Sequence, residues 1–259
     1  MPSASVGRPA DPDFRRAPAW AYVVFALLVA GVAAGGYWLK SSPPSAFGGP
    51  PETVQRLLAR GIAAHAAGSY DSALALYGQV IQREPGNARA HFNTAQIHLV
   101  REQYEMAESS YRAALDADPD FAGARMNLGV ALYKQRKFAP AAEQFRRVVQ
   151  ASPDDPLGLF NLGISVLELG QDGEAVRLLT AASRADPKRD DAFYYLGVAL
   201  VHLGRLPEAR SALQQALALN PRHSDAHAEL AKVYRSQGEE GAARAEMAKA
   251  IELNPRFKE

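Results

Sequence analysis

The sequence predicts an all-α solenoid, a stack of short helical hairpins in which each hairpin buries its apolar face against its neighbours. The first observation is a set of prolines spaced 34 residues apart: Pro85, Pro119, Pro153, Pro187, Pro221 and Pro255. Alanines recur with the same spacing: Ala73, Ala107, Ala141, Ala175, Ala209 and Ala243. So do small residues: Gly61, Ala95, Gly129, Gly163, Gly197 and Ala231. A fixed period of this length indicates a repeat protein.

Each 34-residue unit has the pattern of two helices separated by a short polar turn. In the third unit, apolar residues recur at helical spacing over residues 124–135 and again over residues 140–150. Glycine, which is favoured just past a helix end, stands in four of the turns: Gly68, Gly170, Gly204 and Gly238. Each of the 34-spaced prolines follows a second helix and blocks its continuation. Every unit is therefore predicted to be an antiparallel helical hairpin.

The small residues are expected where the two helices of a unit cross, because a bulky side chain there would hold the helix axes apart. Larger residues are expected to fill the core around the crossing: Leu128, Leu162, Leu196, Leu230, Tyr77, Tyr111 and Phe145. We interpret these residues as packing residues rather than as functional ones.

These patterns resemble the tetratricopeptide repeat (TPR). The fifth unit carries the family's large residues, Leu-Gly pair, alanines and final proline: Phe193, Leu196, Gly197, Leu200, Ala209, Leu213, Ala216 and Pro221. The departures are minor, such as His91 and His227 at the fourth position of their units. The resemblance implies a right-handed superhelical solenoid of six hairpins, over residues 54–87, 88–121, 122–155, 156–189, 190–223 and 224–257.

The N-terminal part predicts a transmembrane anchor helix over residues 17–40, after a short tail of residues 1–16. Residues 17–39 include no charged side chain, and a helix of this length reaches about 34 Å, enough to cross the core of a bilayer. Aromatic residues mark both ends of the stretch: Trp20, Tyr22, Tyr37 and Trp38. Residues 41–51 are a Pro/Gly/Ser linker to the repeat domain, residues 52–259.

A cleaved signal peptide is the alternative interpretation of this stretch. Arg15 and Arg16 would then form its basic start, and residues 32–34 its cleavage site. Because the apolar run continues to Leu39 and ends at Lys40, the pattern favours an uncleaved anchor.

The flanking charges predict an orientation for the anchor. Three arginines precede the span and only Lys40 follows it closely, which favours a cytoplasmic N-terminus and a repeat domain in the periplasm of a bacterial inner membrane. The opposite orientation stays open, because the family includes anchored members whose repeats face the cytoplasm. Gly31 and Gly35 have the spacing that lets two spans pack closely, so they are the candidate contact of a homodimer.

Composition argues against two functional classes. Of the 29 Lys and Arg residues and the 28 Asp and Glu residues, four bases and two acids precede residue 52, so the repeat region has a net charge near −1. Nucleic-acid binding needs a basic surface, so that class is not expected. The absence of cysteine excludes disulfides, thiolate catalysis and cysteine-based metal sites.

The sequence predicts that the protein is not an enzyme and has no cofactor. It carries no P-loop, no nucleophile-elbow serine, no H-E-x-x-H pair and no dinucleotide-binding glycine pattern. Among the histidines, His91 and His98 fall at packing positions. His223 and His227 flank Asp225 with a spacing that could hold a metal, but His227 is itself at a packing position, so no metal site is predicted.

The resemblance implies that the first helices line a concave face with their fifth, sixth and ninth positions pointing into it. Exposed apolar side chains there predict a partner site, with packing between units as the alternative. The candidate groove residues are Phe92, Asn93, Met126, Asn127, Val130, Phe160, Asn161, Ile164, Tyr194 and Val198. The three asparagines could pair with the backbone of an extended peptide, as similar ladders do in the repeat region of O-GlcNAc transferases.

These features predict a membrane-anchored adaptor or assembly factor of the bacterial envelope, which holds an extended, partly apolar segment of a partner protein. A self-assembling structural scaffold at the membrane is the competing prediction, because no capping helix follows the last hairpin. Residues 240–253 include charged side chains that could cap the stack, which favours the adaptor, among them Arg244, Glu246, Lys249 and Glu252.

Overall fold

The computed structural model describes residues 52–258 of the 259-residue chain, and these residues form an all-α fold without a strand. Twelve α-helices follow one another: α1 (Val54–Ala66), α2 (Tyr70–Arg83), α3 (Ala88–Val100), α4 (Tyr104–Ala117), α5 (Ala122–Lys134), α6 (Phe138–Ala151), α7 (Pro156–Glu168), α8 (Asp172–Ala185), α9 (Asp190–His202), α10 (Leu206–Leu219), α11 (Ser224–Ser236) and α12 (Glu240–Leu253). A 3₁₀ helix, Pro255–Lys258, ends the described part. The predicted fold class is confirmed for this part of the chain.

Side-chain caps fix where several of the first helices begin. Asn87 Oδ1 accepts a hydrogen bond from the backbone N–H of Ala90 at 3.0 Å, and Asp155 Oδ2 accepts one from Gly158 at 2.9 Å. Each cap satisfies one of the N–H groups that the first turn of a helix leaves without an intrahelical partner. The end of the preceding loop thereby sets the start of each of these helices.

The helices of the third unit begin two residues before their predicted starts. They span Ala122–Lys134 and Phe138–Ala151, so Pro140 is the third residue of its helix and not the first. The difference has little cost, because the N–H that proline lacks still falls within the first turn, where no carbonyl of the helix could accept from it. Apolar periodicity predicted the helices well and their first residues less well.

All six hairpin turns contain one residue in the left-handed region. Four are the predicted glycines, with φ between 69° and 80°, and two are Glu102 and Arg136, with φ of 58° and 60°. The residue that follows closes the turn with the same backbone bond each time, for example Gln171 N to Val166 O at 2.9 Å. The turn geometry is therefore uniform, although glycine supplies it at four of the six sites.

The two helices of each unit cross closely at the small residues, as predicted. A Cβ atom added at Gly129 would lie 2.5 Å from Cε1 of Phe145, and one at Gly197 would lie 2.6 Å from Cγ of Leu213. These distances are far below van der Waals contact. At these two crossings the helices can lie so close because one of the two facing residues has no side chain, and the buried ring or leucine of the other helix fills the space.

Successive hairpins stack so that the first helices form one continuous layer. The first helices of the six units are α1, α3, α5, α7, α9 and α11. Each of them contacts its own second helix, and each except the last also contacts the first helix of the next unit. We call this set the first-helix layer. The predicted core rings of Tyr77, Tyr111 and Phe145 are fully buried between helices, whereas Leu196 is only half-buried.

Polar side chains at the fourth position of three units tie neighbouring units together. His91 Nε2 donates to the carbonyl of Pro85 at 2.8 Å, and His227 Nε2 donates to that of Pro221 at 3.0 Å. The Arg125 guanidinium makes the equivalent bond. In each case the acceptor is the 34-spaced proline at the end of the preceding unit, so these side chains are structural, as the sequence predicted for His91 and His227.

Glu108 on α4 joins the second unit to the turn of the third. Its carboxylate accepts hydrogen bonds from Gln135 Nε2 and Lys137 Nζ, both at 2.9 Å, and from Arg112 on its own helix. Burial alone would raise the pKa of Glu108, but these three donors outweigh burial and lower the pKa to about 2. The carboxylate is therefore held in its charged form at this joint.

Within residues 52–258, no helix combines the length and the hydrophobicity that a membrane span requires. The predicted anchor over residues 17–40, its flanking tail and linker and the Gly31–Gly35 pair all lie outside the described residues.

The left-handed turns give a first prediction. Gly170→Ala should lower the free energy of unfolding by about 1 kcal/mol, because an L-residue is disfavoured at a φ of 72°. Gly78→Ala makes the same chemical change inside α2 with open space around the new methyl group, and it should stabilise by up to about 1 kcal/mol. Thermal unfolding followed by circular dichroism measures both variants, and equal shifts of the two in one direction would contradict the argument.

Glu108 gives a second prediction. Because its pKa is lowered, its stabilisation is fully present above the ordinary value of 4.5 and is lost as pH falls towards 2. Glu108→Gln should therefore cost on the order of 2–3 kcal/mol at pH 7, after some allowance for solvent screening, and much less near pH 2.

Glu143→Gln is the matched control for this experiment, because the Glu143 side chain is 50% exposed and pairs with Arg147 on the surface. It should change the stability by less than about 1 kcal/mol. Urea unfolding across the pH range measures both variants, and a cost at Glu108 that did not vary with pH would count against the charged network.

Candidate peptide-binding groove

The ten residues predicted to line the groove all lie on four neighbouring helices of the first-helix layer. Phe92 and Asn93 are on α3, and Tyr194 and Val198 are on α9. The two helices between them carry the other six: Met126, Asn127 and Val130 on α5, and Phe160, Asn161 and Ile164 on α7. The repeat period therefore brings the predicted residues onto one continuous surface, unit after unit.

The structure does not leave Met126 and Phe160 exposed, and the expectation of exposure was wrong for both. Their side chains are 7% and 5% exposed. The ring of Phe160 lies 5.8 Å from that of Tyr195 in the next unit, with the guanidinium of Arg189 5.4 Å from its centre. Packing between units, the alternative interpretation, covers these two residues. The ninth-position residues Val130 and Ile164 are buried in the same core.

The asparagine row is more buried than its predicted role requires. Asn127 and Asn161 are 3% and 6% exposed, and the Asn161 amide donates to Met126 Sδ at 3.6 Å. Asn93 is half-buried. Among the described residues, Asn127 Oδ1 has no hydrogen-bond partner.

The hydroxyl of Tyr111 is also buried without a partner among the described residues. Burial raises the pKa of Tyr111, and the Asn127 side chain beside it partly opposes the rise. The two groups are thus close together but do not meet the geometry of a hydrogen bond.

An aromatic row runs from the fourth unit to the end of the fifth, where the sixth unit begins. We define it by four rings: Phe160, Tyr195, Tyr194 and His223. Tyr195 lies 5.8 Å from Phe160 and 4.9 Å from Tyr194, whose ring is 4.7 Å from that of His223. Tyr194 and Tyr195 are half-buried, so a partner can reach them, whereas the side chain of His223 is only 12% exposed.

Sequence reasoning did not place Tyr195 and His223 in the site. Tyr195 was not among the predicted groove residues, and His223 was considered only as a possible metal ligand. An available signal was the pair of adjacent tyrosines, because neighbouring residues on a first helix can each meet a different neighbour in the stack.

Carboxylates surround the tyrosines of this surface. Burial raises the pKa of Tyr194, and nearby Asp225 raises it further. The pKa of Tyr195 rises to about 12 for the same two reasons, burial first and then Asp191. Two units earlier, Tyr133 Oη donates to Glu168 Oε1 at 3.4 Å. Carboxylates therefore lie close to the phenol groups along this part of the layer, and each of them opposes the formation of a phenolate.

Three side chains of the described part have the spacing of a metal site, but their hydrogen bonds argue against one. Asp190, Asp191 and His223 place one ligand atom each within 4.8 Å of the others. His223 Nδ1 accepts the backbone N–H of Ala226 at 3.2 Å, so the ring proton sits on Nε2 and points to Asp191 Oδ1, 3.6 Å away. A metal on Nε2 would require breaking the helix cap, because a neutral ligating ring needs its proton on Nδ1.

The described fold is similar to those of solved TPR proteins. It matches YrrB, described as a TPR protein with an unusual peptide-binding site, with a TM-score of 0.59 and 23% identity over 69% of this chain and 92% of that one. It matches MamA from Desulfovibrio magneticus RS-1 with a TM-score of 0.61 and 23% identity, over 65% and 96% of the two chains. MamA MSR-1 matches with a TM-score of 0.57 and 27% identity, over 65% and 97%. A comparison with curated proteins finds no match.

A family model matches nearly the whole region described above. The model is that of the cilia and flagella-associated protein 70 C-terminal domain, and it covers residues 48–258. This range includes all six helical hairpins and every residue of the candidate groove. The chain belongs to the family of the cilia and flagella-associated protein 70 C-terminal domain, a tetratricopeptide-repeat family.

Proposed function

We propose that the protein is a membrane-anchored adaptor whose first-helix layer captures an extended, partly apolar segment of a partner protein. The observation that carries the proposal is the aromatic row, in which the half-buried rings of Tyr194 and Tyr195 lie beside the buried ring of Phe160 of the preceding unit. Aromatic side chains are the commonest anchors of protein interfaces, because they bury a large area with few rotatable bonds. The peptide-binding site in the description of YrrB is consistent with this use of the fold.

The half-buried members of the predicted groove are the ones that would meet the partner. These are Phe92 and Asn93 at one end and Tyr194 and Val198 at the other. The buried members, among them Met126 and Phe160, would support them from below. In this proposal Asn93 bonds the backbone of the segment, and the rings select its apolar side chains.

The anchor belongs to the same proposal. Residues 17–40 would cross the membrane with the N-terminus in the cytoplasm, and the repeats would lie in the periplasm of a bacterial envelope. The linker of residues 41–51 would let the solenoid stand at most roughly 40 Å from the membrane. Gly31 and Gly35 would be the contact if two anchors pair.

Alkaline carbonate extraction tests the anchor. The full chain should stay with the membrane pellet, because moving the uncharged stretch of residues 17–39 into water is costly. A chain without residues 17–40 should appear in the supernatant. Release of the full chain by carbonate would show that the stretch does not span the membrane.

Site-specific photo-crosslinking tests the groove. A photoreactive residue at Val198, half-buried on α9, should form one discrete adduct with a second protein in cells. The same residue at Arg147, exposed on α6, should not form that adduct. Tyr195→Ala should lower the yield of the adduct at Val198 by at least about tenfold, because it removes the centre of the aromatic row.

Two results would argue against the adaptor. An adduct that forms equally well from Arg147 would mean that the groove does not select the partner. Adducts of the chain with itself alone would identify a self-assembling scaffold.

A further inference from the structure

One end of the groove combines aromatic rings with carboxylates. We call it the acidic end and define it by Asp191, Tyr194 and Tyr195 on α9 and by Asp225 and Glu229 on α11. Asp191 is three and four residues from the two tyrosines, so they share one side of α9. Asp225 and Glu229 are also four residues apart and share one side of α11.

Contacts between the two helices show that these sides face each other. His223 at the start of α11 stacks on Tyr194 with ring centres 4.7 Å apart and points its Nε2 at Asp191. Asp225 of α11 raises the pKa of both tyrosines of α9. Two helices therefore bring three carboxylates and two phenol rings to one place.

The cations of the chain that pair with carboxylates of the acidic end have largely exposed side chains. Lys232 Nζ bonds Glu229 Oε2 at 2.7 Å with 61% of the lysine side chain exposed. Arg256 bonds Asp225 from the terminal 3₁₀ helix, and its side chain is 62% exposed. The carboxylates of these pairs are less exposed, at 13% for Glu229 and 38% for Asp225, so the exposed cation is the member of each pair that another cation can replace. For Asp191, the ion partner found in the described structure is His223, whose ring is neutral when Nδ1 accepts the cap.

Arg256 shows that a guanidinium fits. It contacts Asp225 and lowers the pKa of Tyr194, so its charge is felt at the ring. Arginine also lies over aromatic faces in this solenoid: Arg256 is 5.0 Å from the centre of the Phe257 ring, and Arg210 is 4.6 Å from that of the Tyr234 ring. A planar cation between carboxylates and phenol rings combines charge-assisted hydrogen bonds with a cation–π contact.

From this arrangement we infer that the acidic end binds an arginine or lysine side chain of the partner segment, next to the apolar residues that the rest of the aromatic row receives. The inference rests on the proposed function, because it names the chemistry of the segment that the groove would capture. The incoming cation displaces Arg256 from Asp225 and also reaches Asp191. The partner is therefore a basic and apolar peptide rather than an acidic one.

Selection from a phage library of random dodecapeptides tests the inference, with the full chain immobilised in mild detergent. Selected peptides should be enriched in arginine and lysine beside apolar residues. A triple variant, Asp191→Asn, Asp225→Asn and Glu229→Gln, should bind the corresponding synthetic peptides at least about tenfold more weakly by fluorescence anisotropy. Salt should weaken binding to the unmodified chain more than binding to this variant.

The matched control removes three exposed carboxylates from second helices: Glu105→Gln, Asp116→Asn and Glu252→Gln. It changes the net charge by the same amount and should leave the affinity unchanged. Arg256→Ala is a milder variant that uncovers Asp225, and it should tighten binding by about two- to threefold.

The outcomes separate this inference from the proposed function. Tyr195→Ala could abolish binding while the triple variant binds normally, or the selected peptides could lack basic residues. Either result would support the groove and contradict the inference that its partner is basic. Weaker binding by Arg256→Ala would contradict the displacement of Arg256 by the incoming cation. This test does not depend on whether the triple variant folds. A library that yields no peptide sensitive to Tyr195→Ala overturns both.

Discussion

The close crossing of the two helices in every hairpin is the constraint on which the solenoid depends. At Gly129 or Gly197, any side chain would meet the ring or leucine of the opposing helix. This contact sets how near the helices lie, and the nearness lets successive first helices touch and form one layer. A continuous layer is what turns single residues, 34 positions apart in sequence, into neighbours on a surface. The groove is therefore a product of the crossing as much as of the residues that line it.

The sequence was sufficient to predict the architecture, because its signals are local. Helix pairs, crossings and four of the six turns follow from periodicity, small residues and glycine. The turns at Glu102 and Arg136 carry no glycine, yet the geometry of the neighbouring hairpins imposes the same conformation on them. The helices of the third unit start two residues earlier than the apolar pattern predicted, and neither start has a side-chain cap that could have marked it in the sequence.

The site could be predicted only in part, because exposure depends on residues of other units. The pattern placed Phe160 on the correct surface, but it could not show that Tyr195 and Arg189 cover its ring. The Asn161 side chain was expected to be available to a bound peptide, but its amide donates a hydrogen bond to Met126 Sδ. The same non-local packing created the aromatic row, which no single unit contains. Membership of a TPR family fixes the scaffold, but it does not fix the residues of the row or the carboxylates beside it.

The bonds from fourth-position side chains to proline carbonyls have a mechanical consequence. These hydrogen bonds connect unit one to unit two, unit two to unit three, and unit five to unit six. At the two remaining joints the fourth position is Leu159 or Phe193, which cannot donate a hydrogen bond. In the described solenoid, this bond is therefore present near both ends and missing on either side of the fourth unit. The contact between the rings of Phe160 and Tyr195 spans one of the two joints without it, so the first pair of the aromatic row also helps to hold the fourth and fifth units together.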